Sequence, residues 1–383
     1  MTVTLARTID EIERIRNVWS DLQGDAVTSD PDYYLELLRH GENVQRPHIV
    51  LLERRGRGAG MVVARLETVR LVSKIGYKTV ARPRVRALRV AYGGLLGEAA
   101  GELASEAVSE LRAALRRGEA DVVLFPNLRT DGAAFAQATT SPPFLLRQHG
   151  FDGKMHRRLR LPESFSAFLA SLSGSTRQGL RRNERRLLDA HGDELSLRSL
   201  DRPEEVEAFF AAARPVAAAT YQNSLGVAVR GSELELSLIR LAAQRGWFRA
   251  RVLYLGDRPI AFWHGYAYRG VFQTHVPGYL PEYRDLNVGT YVLMRLLEDL
   301  CADRSVQALD FGFGDAEYKR RFGDEAWQEA DVAVFGPSFK GVRVNAVRTA
   351  VVAGNRLGKR VLGSDRLAGA KRAWRSRMTE RGR

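Results

Sequence analysis

Between Phe248 and Thr274 apolar and polar residues alternate in three short runs, broken by Gly256-Asp257-Arg258-Pro259 and by Arg269-Gly270. Alternation with period two marks half-buried strands, and the glycine-containing breaks mark tight reversals. The pattern therefore predicts an antiparallel three-strand meander. A Pro277-Gly278 break and a polar loop follow. Beyond them lie a helical pattern starting near Gly289 and a fourth strand that ends in the glycine-rich Gly312-Phe313-Gly314. Chemistry is expected where that helix begins and that strand ends.

The preceding chain reads as a compact α/β unit of about 150 residues, a usual domain size. Ile9, Ile12, Ile15, Val18 and Leu22 fall at helical spacing, and Asp30-Pro31 marks the cap and first turn of a second helix ending at His40. Residues 47–66 read as two strands joined at Arg55-Gly56-Arg57-Gly58, and residues 84–92 as a further strand ending at Gly93-Gly94. A helix over Gly101–Arg117 closed by Gly118, then a buried strand over 121–128, complete the unit. Residues 129–172 form a transition zone with Ser141-Pro142-Pro143 and Leu161-Pro162 as breakers. Ser175 and Gln178 fit a capping box for the next helix, which carries Arg177, Arg181, Arg182, Arg185 and Arg186. Helices over 204–219 and 232–244 lead into the meander, and residues 327–337 supply one more strand.

Composition narrows the class. The 383 residues are 45% hydrophobic, enough for real cores, and no apolar run approaches the ~20 residues that span a bilayer. No signal peptide is visible, and one cysteine, Cys301, excludes an internal disulfide. A reducing cytoplasmic setting is expected, with peripheral association at the inner face of the membrane as an extension. The +14 net charge resembles a nucleic-acid signal until it is located. Residues 342–383 hold 12 Lys and Arg against Asp365 and Glu380, leaving +4 for residues 1–341. In that tail Val347, Val351, Val361 and Leu362 fall on one side of a helical wheel and Arg348, Arg356, Lys359, Arg360 and Arg366 on the other. A basic amphipathic segment of this kind suits an anionic membrane surface; a solubilising tail has the same composition.

The loop Arg284-Asp285-Leu286-Asn287-Val288-Gly289-Thr290 lies between a strand and a helix start, where free amides and the helix dipole receive phosphate. A plain helix cap would use the same residue types. Gly56-Arg57-Gly58-Ala59-Gly60 reads as a turn. No Gly-x-Ser-x-Gly motif occurs, and no His/Asp/Glu cluster has metal-ligand spacing, so no metal is expected. The arginine helix reads equally as a phosphate-contacting face and as a solvated one.

The order of meander, phosphate-type loop with helix, and strand resembles the core of the GNAT acyltransferases. Their cofactor loop reads Gln/Arg-x-x-Gly-x-Gly/Ala, and Arg284-x-x-Asn287-x-Gly289-Thr290 matches it with Asn for the first glycine. The closer resemblance is to the branch with cellulose-biosynthesis-type acetyltransferase domains and Fem-type aminoacyl transferases. That branch carries an arginine-rich entry helix, a Gly-Thr helix start and a strand ending in Asp-Phe-Gly-x-Gly-Asp-x-x-Tyr-Lys. The chain has Gly289-Thr290, Asp310-Phe311-Gly312-Phe313-Gly314-Asp315-Ala316-Glu317-Tyr318-Lys319 and Arg321-Phe322-Gly323. The resemblance covers about residues 170–336. For residues 1–150 it rests on Trp19-Ser20-Asp21-Leu22 and the strand order, which suggest a degenerate first copy.

The resemblance implies an α+β (mixed α/β) protein with tandem GNAT-like domains, each a mostly antiparallel twisted sheet flanked by helices. Residues 1–150 would form the degenerate copy, residues 151–340 the acyltransferase domain and residues 341–383 the basic tail. It implies acetyl-CoA or another acyl-CoA as donor, with Arg284, Asn287, Val288, Gly289 and Thr290 binding it. Tyr318 is the implied acid, Lys319 the phosphate-binding or charge-stabilising group, and Asp315 their orienting partner. His275 and His264, on adjacent strands, are candidates for the base. The implied acceptor is a small, glycan-linked or lipid-linked molecule, a cell-envelope or polysaccharide precursor. Two rivals remain: a Fem-like transferase using aminoacyl-tRNA, and a non-catalytic polyanion-binding protein on the same scaffold.

Overall fold

The computed structural model describes residues 1–75, 78–220 and 229–362. Its elements in chain order begin with β1 (Thr2–Ala6), α1 (Ile9–Leu22), α2 (Pro31–His40), β2 (Val44–Arg54) and β3 (Arg57–Arg70). Next come β4 (Ser73–Ile75), β5 (Lys78–Ala81), β6 (Arg84–Gly97), α3 (Ala104–Arg116), β7 (Val122–Arg129) and α4 (Ala133–Thr140). The middle of the chain forms β8 (Lys154–Arg160), α5 (Phe165–Ser171), α6 (Gly174–His191), β9 (Leu195–Ser199), α7 (Val206–Ala218) and α8 (Glu233–Gln244). The last elements are β10 (Phe248–Leu255), β11 (Arg258–Tyr268), β12 (Val271–Thr274), β13 (Gly278–Tyr279), α9 (Val288–Ala302), β14 (Ala308–Phe313), α10 (Glu317–Phe322), β15 (Glu325–Phe335) and α11 (Phe339–Leu362). They divide into two compact units. One holds Met1–Gln23, Glu42–Gly153 and the chain from Glu329 onward, the other Gly24–Gly41 with Lys154–Gln328.

Each unit is a mostly antiparallel sheet flanked by helices, the mixed α/β class expected. In the first, β1, β2, β3 and β6 pair antiparallel in that order. Helix α3 then returns the chain so that β7 lies parallel to β6. In the second, β9, β10, β11 and β12 pair antiparallel, and α9 returns the chain so that β14 lies parallel to β12. The same order, four antiparallel strands and a helical crossover to a parallel one, thus occurs twice. The reversals fall where glycine dipeptides predict them. Arg55-Gly56 and Arg269-Gly270 both have positive φ at both residues (53° and 74°, 45° and 83°), the geometry that matches the twist of paired strands.

Local signals hold for most helices. The Thr8 hydroxyl and Glu11 carboxylate cap α1 reciprocally, and Asp30 accepts the Asp32 and Tyr33 amides at α2. The cap of α6 differs from expectation. Ser173, not Ser175, accepts the Thr176 amide at 3.2 Å, so the helix starts earlier and Ser175 lies inside it. Strand β6 also runs through Gly93-Gly94 to Gly97. The transition zone hides a strand, β8, whose arginines disguise it: Arg158 pairs with Asp25 and Asp310, and Arg160 with Glu325.

The basic tail begins as α11. Its Val344 joins the core of the first unit with Leu71, Val85 and Phe335, and Val351 is buried too. Asn345 donates to the carbonyls of Leu145 and Arg147 at 2.9 and 2.8 Å. Part of the apolar side expected to meet a membrane is therefore covered by protein, while Val347 stays exposed. The side chains from Arg356 onward, and the expected segment over 363–383, lie outside the described residues. No helix among the described residues is long and apolar enough to cross a membrane.

The meander of the second unit packs its strands so closely that Gly265 has no substitute. A Cβ there would lie 2.2 Å from the Gln273 carbonyl oxygen and 2.7 Å from the Phe272 ring. Gly265→Ala is therefore expected to destabilise the protein by about 1–3 kcal/mol, an overpacking cost. Urea unfolding checks it, and an unchanged midpoint contradicts the packing.

Candidate active site

The second unit contains a cleft of about 300 Å³ at the start of α9. Arg284, Asn287, Val288, Gly289 and Thr290 line it on one side and Tyr318 with Arg321 on the other. The loop and the phenol singled out from sequence, 28 positions apart from Thr290 to Tyr318, thus share one cavity.

Asn287 holds the loop's geometry. It sits in the left-handed region (φ 55°, ψ 34°), which Asn tolerates better than other side chains. Its amide bonds back to the Arg284 carbonyl at 3.0 Å, and its own carbonyl accepts from Thr290 at 2.9 Å and Tyr291 at 3.1 Å. The amides of Val288 and Gly289 precede the first intrahelical donors, so they stay free. They stand at the positive end of a 15-residue helix, the ordinary setting for an anion. Asn in place of the first glycine leaves this turn intact. On the far side of the turn, Trp263 Nε1 donates to the Gly289 carbonyl at 2.8 Å, tying α9 to β11.

The opposite wall depends on the end of β14. Parallel pairing with β12 stops at Gln273–Asp310, and pairing with β8 slips between Asp310 and Gly312. Gly312 has φ 68° and Gly314 φ 102°, so the strand bulges and turns away where both glycines stand. Asp310 fixes the bulge from inside. It accepts from the Gly312 amide at 2.7 Å, lies 2.6 Å from His156 Nε2, and accepts from Arg158 at 3.2 Å. Burial would raise its pKa, but the His156 hydrogen bond, the charges of His156 and Arg158 and the Gly312 amide hold it below the ordinary carboxylate value. His156 in turn stacks on Trp327, centroids 4.4 Å apart.

Lys319 closes the turn. Its buried ammonium donates to the Phe311 carbonyl at 2.5 Å and the Phe313 carbonyl at 2.8 Å, with the Gly312 carbonyl at 3.5 Å. Burial pushes its pKa down to about 8, with the Asp310 carboxylate pulling the other way. Lys319 therefore faces the strand-end carbonyls and does not line the cleft. One residue earlier on α10, Tyr318 points the other way, edge-on to Trp263 at 5.4 Å and to Phe311 at 5.8 Å.

The remaining sequence candidates stand elsewhere. Asp315 is exposed and paired with Arg320 at 2.8 Å and Arg157 at 3.4 Å; the hydrogen bond from Arg320 chiefly lowers its pKa. His275 packs against His264 (5.2 Å) and Tyr266 (4.7 Å). His264 itself meets Phe209 of α7 at 5.1 Å. Strand alternation sends Phe262, His264 and Tyr266 to the α7 face and Trp263 to the α9 face. Both histidines thus lie across the sheet from the cleft. Burial, with His275 adding to it, holds His264 well below the ordinary imidazole value. Neighbouring protein also pushes His275 down by desolvation, less than at His264, because His275 is exposed. Trp263, Tyr279 and Arg321 line the cleft without having been anticipated. The parity of Trp263, opposite to that of His264 on one strand, was the available signal. Among the described residues no group of three or more His, Cys, Asp or Glu could hold a metal ion.

Comparison with known proteins agrees with this architecture. Residues 174–320 match the family model described as the acetyltransferase (GNAT) domain. A solved structure of FemX superposes with a TM-score of 0.60 at 10% identity, over 88% of this chain and 97% of that one. A conserved protein of unknown function from Bacteroides thetaiotaomicron superposes with a TM-score of 0.53 at 10% identity, over 87% and 100%. At such identity these likenesses concern the fold. No curated protein matches the chain by sequence. The chain carries a GNAT-type acetyltransferase domain, and the protein is an acyltransferase.

The position of Lys319 makes a direct prediction. Lys319→Met removes the donor and leaves buried carbonyls unsatisfied, which costs about 1–3 kcal/mol. Chemical denaturation reads this. A solvated lysine would instead change stability by less than about 0.5 kcal/mol.

Proposed function

We propose that the second unit transfers an acyl group from acyl-CoA to an amine or hydroxyl of a cell-envelope or polysaccharide precursor. The observation that carries the reading is the shared cleft: free amides at the α9 N-terminus on one wall and the Tyr318 phenol on the other. Bound acyl-CoA supplies the reactive thioester. Val288 and Gly289 hold the donor's pyrophosphate with their amides, and Arg284 adds charge beside them. The opening between β12 and β14 beyond Asp310 frees strand-edge amides for the pantetheine arm and the carbonyl oxygen. The amine or hydroxyl forms the new bond to the acyl carbon as the C–S bond breaks, Tyr318 O–H donates a proton to the departing sulfur, and the proton released by the nucleophile returns through solvent in the cleft to the Tyr318 oxygen. Lys319 and Asp310 act one step back by holding the strand end and hence Tyr318. The envelope or polysaccharide character of the acceptor rests on the resemblance of the Asp310–Lys319 motif to that branch.

The first unit supports a non-catalytic reading of its own crossover. Glu98, Glu102 and Glu106 gather at the start of α3, and Arg54 contacts the first two at 3.2 and 3.4 Å. Carboxylates there repel phosphate, so the donor seat belongs to α9.

Acetyl-CoA should raise the unfolding midpoint of the full chain in a concentration-dependent way. At a hundredfold excess over Kd the stabilisation is about 2.7 kcal/mol, a shift of several degrees. No shift with any acyl-CoA, together with salt-sensitive retention of charged tRNA, would favour the Fem-like alternative. In a thiol-release assay with sugar-nucleotide acceptors, Tyr318→Phe is expected to lower kcat about 100-fold while donor Kd stays within about twofold. Equal turnover removes Tyr318 as the acid, and release only with unrelated amines contradicts the acceptor class.

A further inference from the structure

A second, smaller cavity lies against the same helix start. It measures about 60 Å³ and shares Asn287 and Thr290 with the main cleft. Its other walls come from α5, α6 and the first turns of α9, including Arg177, Arg181, Glu184 and Arg295. By volume it holds several waters or one small anionic group, since one water needs ~10–15 Å³ of such space.

The charges of this cavity are not balanced. Arg177 is committed to the end of α5, donating to the carbonyls of Ala170 and Leu172 at 2.9 and 3.0 Å. Arg295 is committed too, to Glu184 at 3.4 Å and Glu298 at 3.1 Å. Arg181 is different. It is exposed at the rim, and among the described residues no carboxylate pairs with it. Arg185, one turn further along α6 and so a neighbour on its surface, is exposed in the same way. Three guanidinium groups thus line the cavity against one carboxylate, beside the positive end of α9. A planar guanidinium fork without a protein partner, next to a pocket of this size, is suited to a phosphate monoester.

We propose that this cavity is a second phosphate subsite of the donor, in which Arg181, with Arg185 beside it, holds the phosphate on the ribose of coenzyme A. The inference rests on the acyl-CoA reading and extends it. The α9 amides take the pyrophosphate, and α6 takes the nucleotide end. The entry helix then has a defined use: its arginines select a donor with a phosphate beyond the pyrophosphate.

Calorimetric titration of the full chain with coenzyme A and with 3′-dephospho-coenzyme A tests this. The wild type is expected to prefer coenzyme A by about tenfold, the scale of one charge-assisted contact. In Arg181→Ala that preference should fall to about twofold or less, with the affinity for the dephospho form unchanged. That unchanged affinity also reports that the variant is folded. Equal wild-type affinities for the two ligands, or a preference that survives Arg181→Ala, overturns the subsite and leaves the acyl-CoA reading standing. If the wild type binds neither ligand but retains charged tRNA through Arg181, the donor reading falls, and this subsite with it.

Discussion

The working end of the second unit depends on one buried carboxylate. Asp310 stands at the last residue of β14 that pairs with β12, and from there the strand must bulge and turn. A carboxylate with bonds from the Gly312 amide, His156 and Arg158 makes that turn a single defined geometry. Burying such a charge is unfavourable unless it is paired and hydrogen-bonded, so the surrounding polar set must be complete. The cationic partners come from β8, and Arg158 also reaches Asp25 on the segment before α2. Residues distant in sequence are thereby drawn to one strand end.

Lys319 continues the same logic with the opposite charge. The carbonyls of Phe311, Gly312 and Phe313 at the bulge converge on its ammonium, which is why a lysine can be buried there. Since α10 begins just before it, fixing Lys319 fixes the adjacent Tyr318 against Trp263 and Phe311. Trp263 then reaches across to the Gly289 carbonyl. One chain of contacts runs from Asp310 through the strand end and Tyr318 to the α9 turn, connecting both walls of the cleft.

Much of this was legible from sequence, for identifiable reasons. The meander, its two-residue turns and the Asn287 turn follow from alternation and from residues that accept positive φ. The pairing of the loop with Tyr318 followed from element order and the motif. Strand β8 was not legible, because a strand carrying Arg157, Arg158 and Arg160 looks solvated until the partners Asp25, Asp310 and Glu325 are known. The motif resemblance implies a substrate-side role for Lys319, whereas its partners are backbone carbonyls that no residue pattern announces. The distance of His275 from the cleft was hidden in strand parity: Trp263, not His264, faces α9. The tail pattern was legible, but the burial of Val344 and Val351 needs the first unit's core to be seen.

The proposed donor site joins the α9 turn to the β14 end. Amide hydrogen exchange of the full chain, with and without acetyl-CoA, tests it most directly. Ligand-dependent protection of residues 284–291 and 311–318 together is expected, with little change across α3 and its flanking loops. Protection at only one of the two walls, or centred on the first unit, would contradict it.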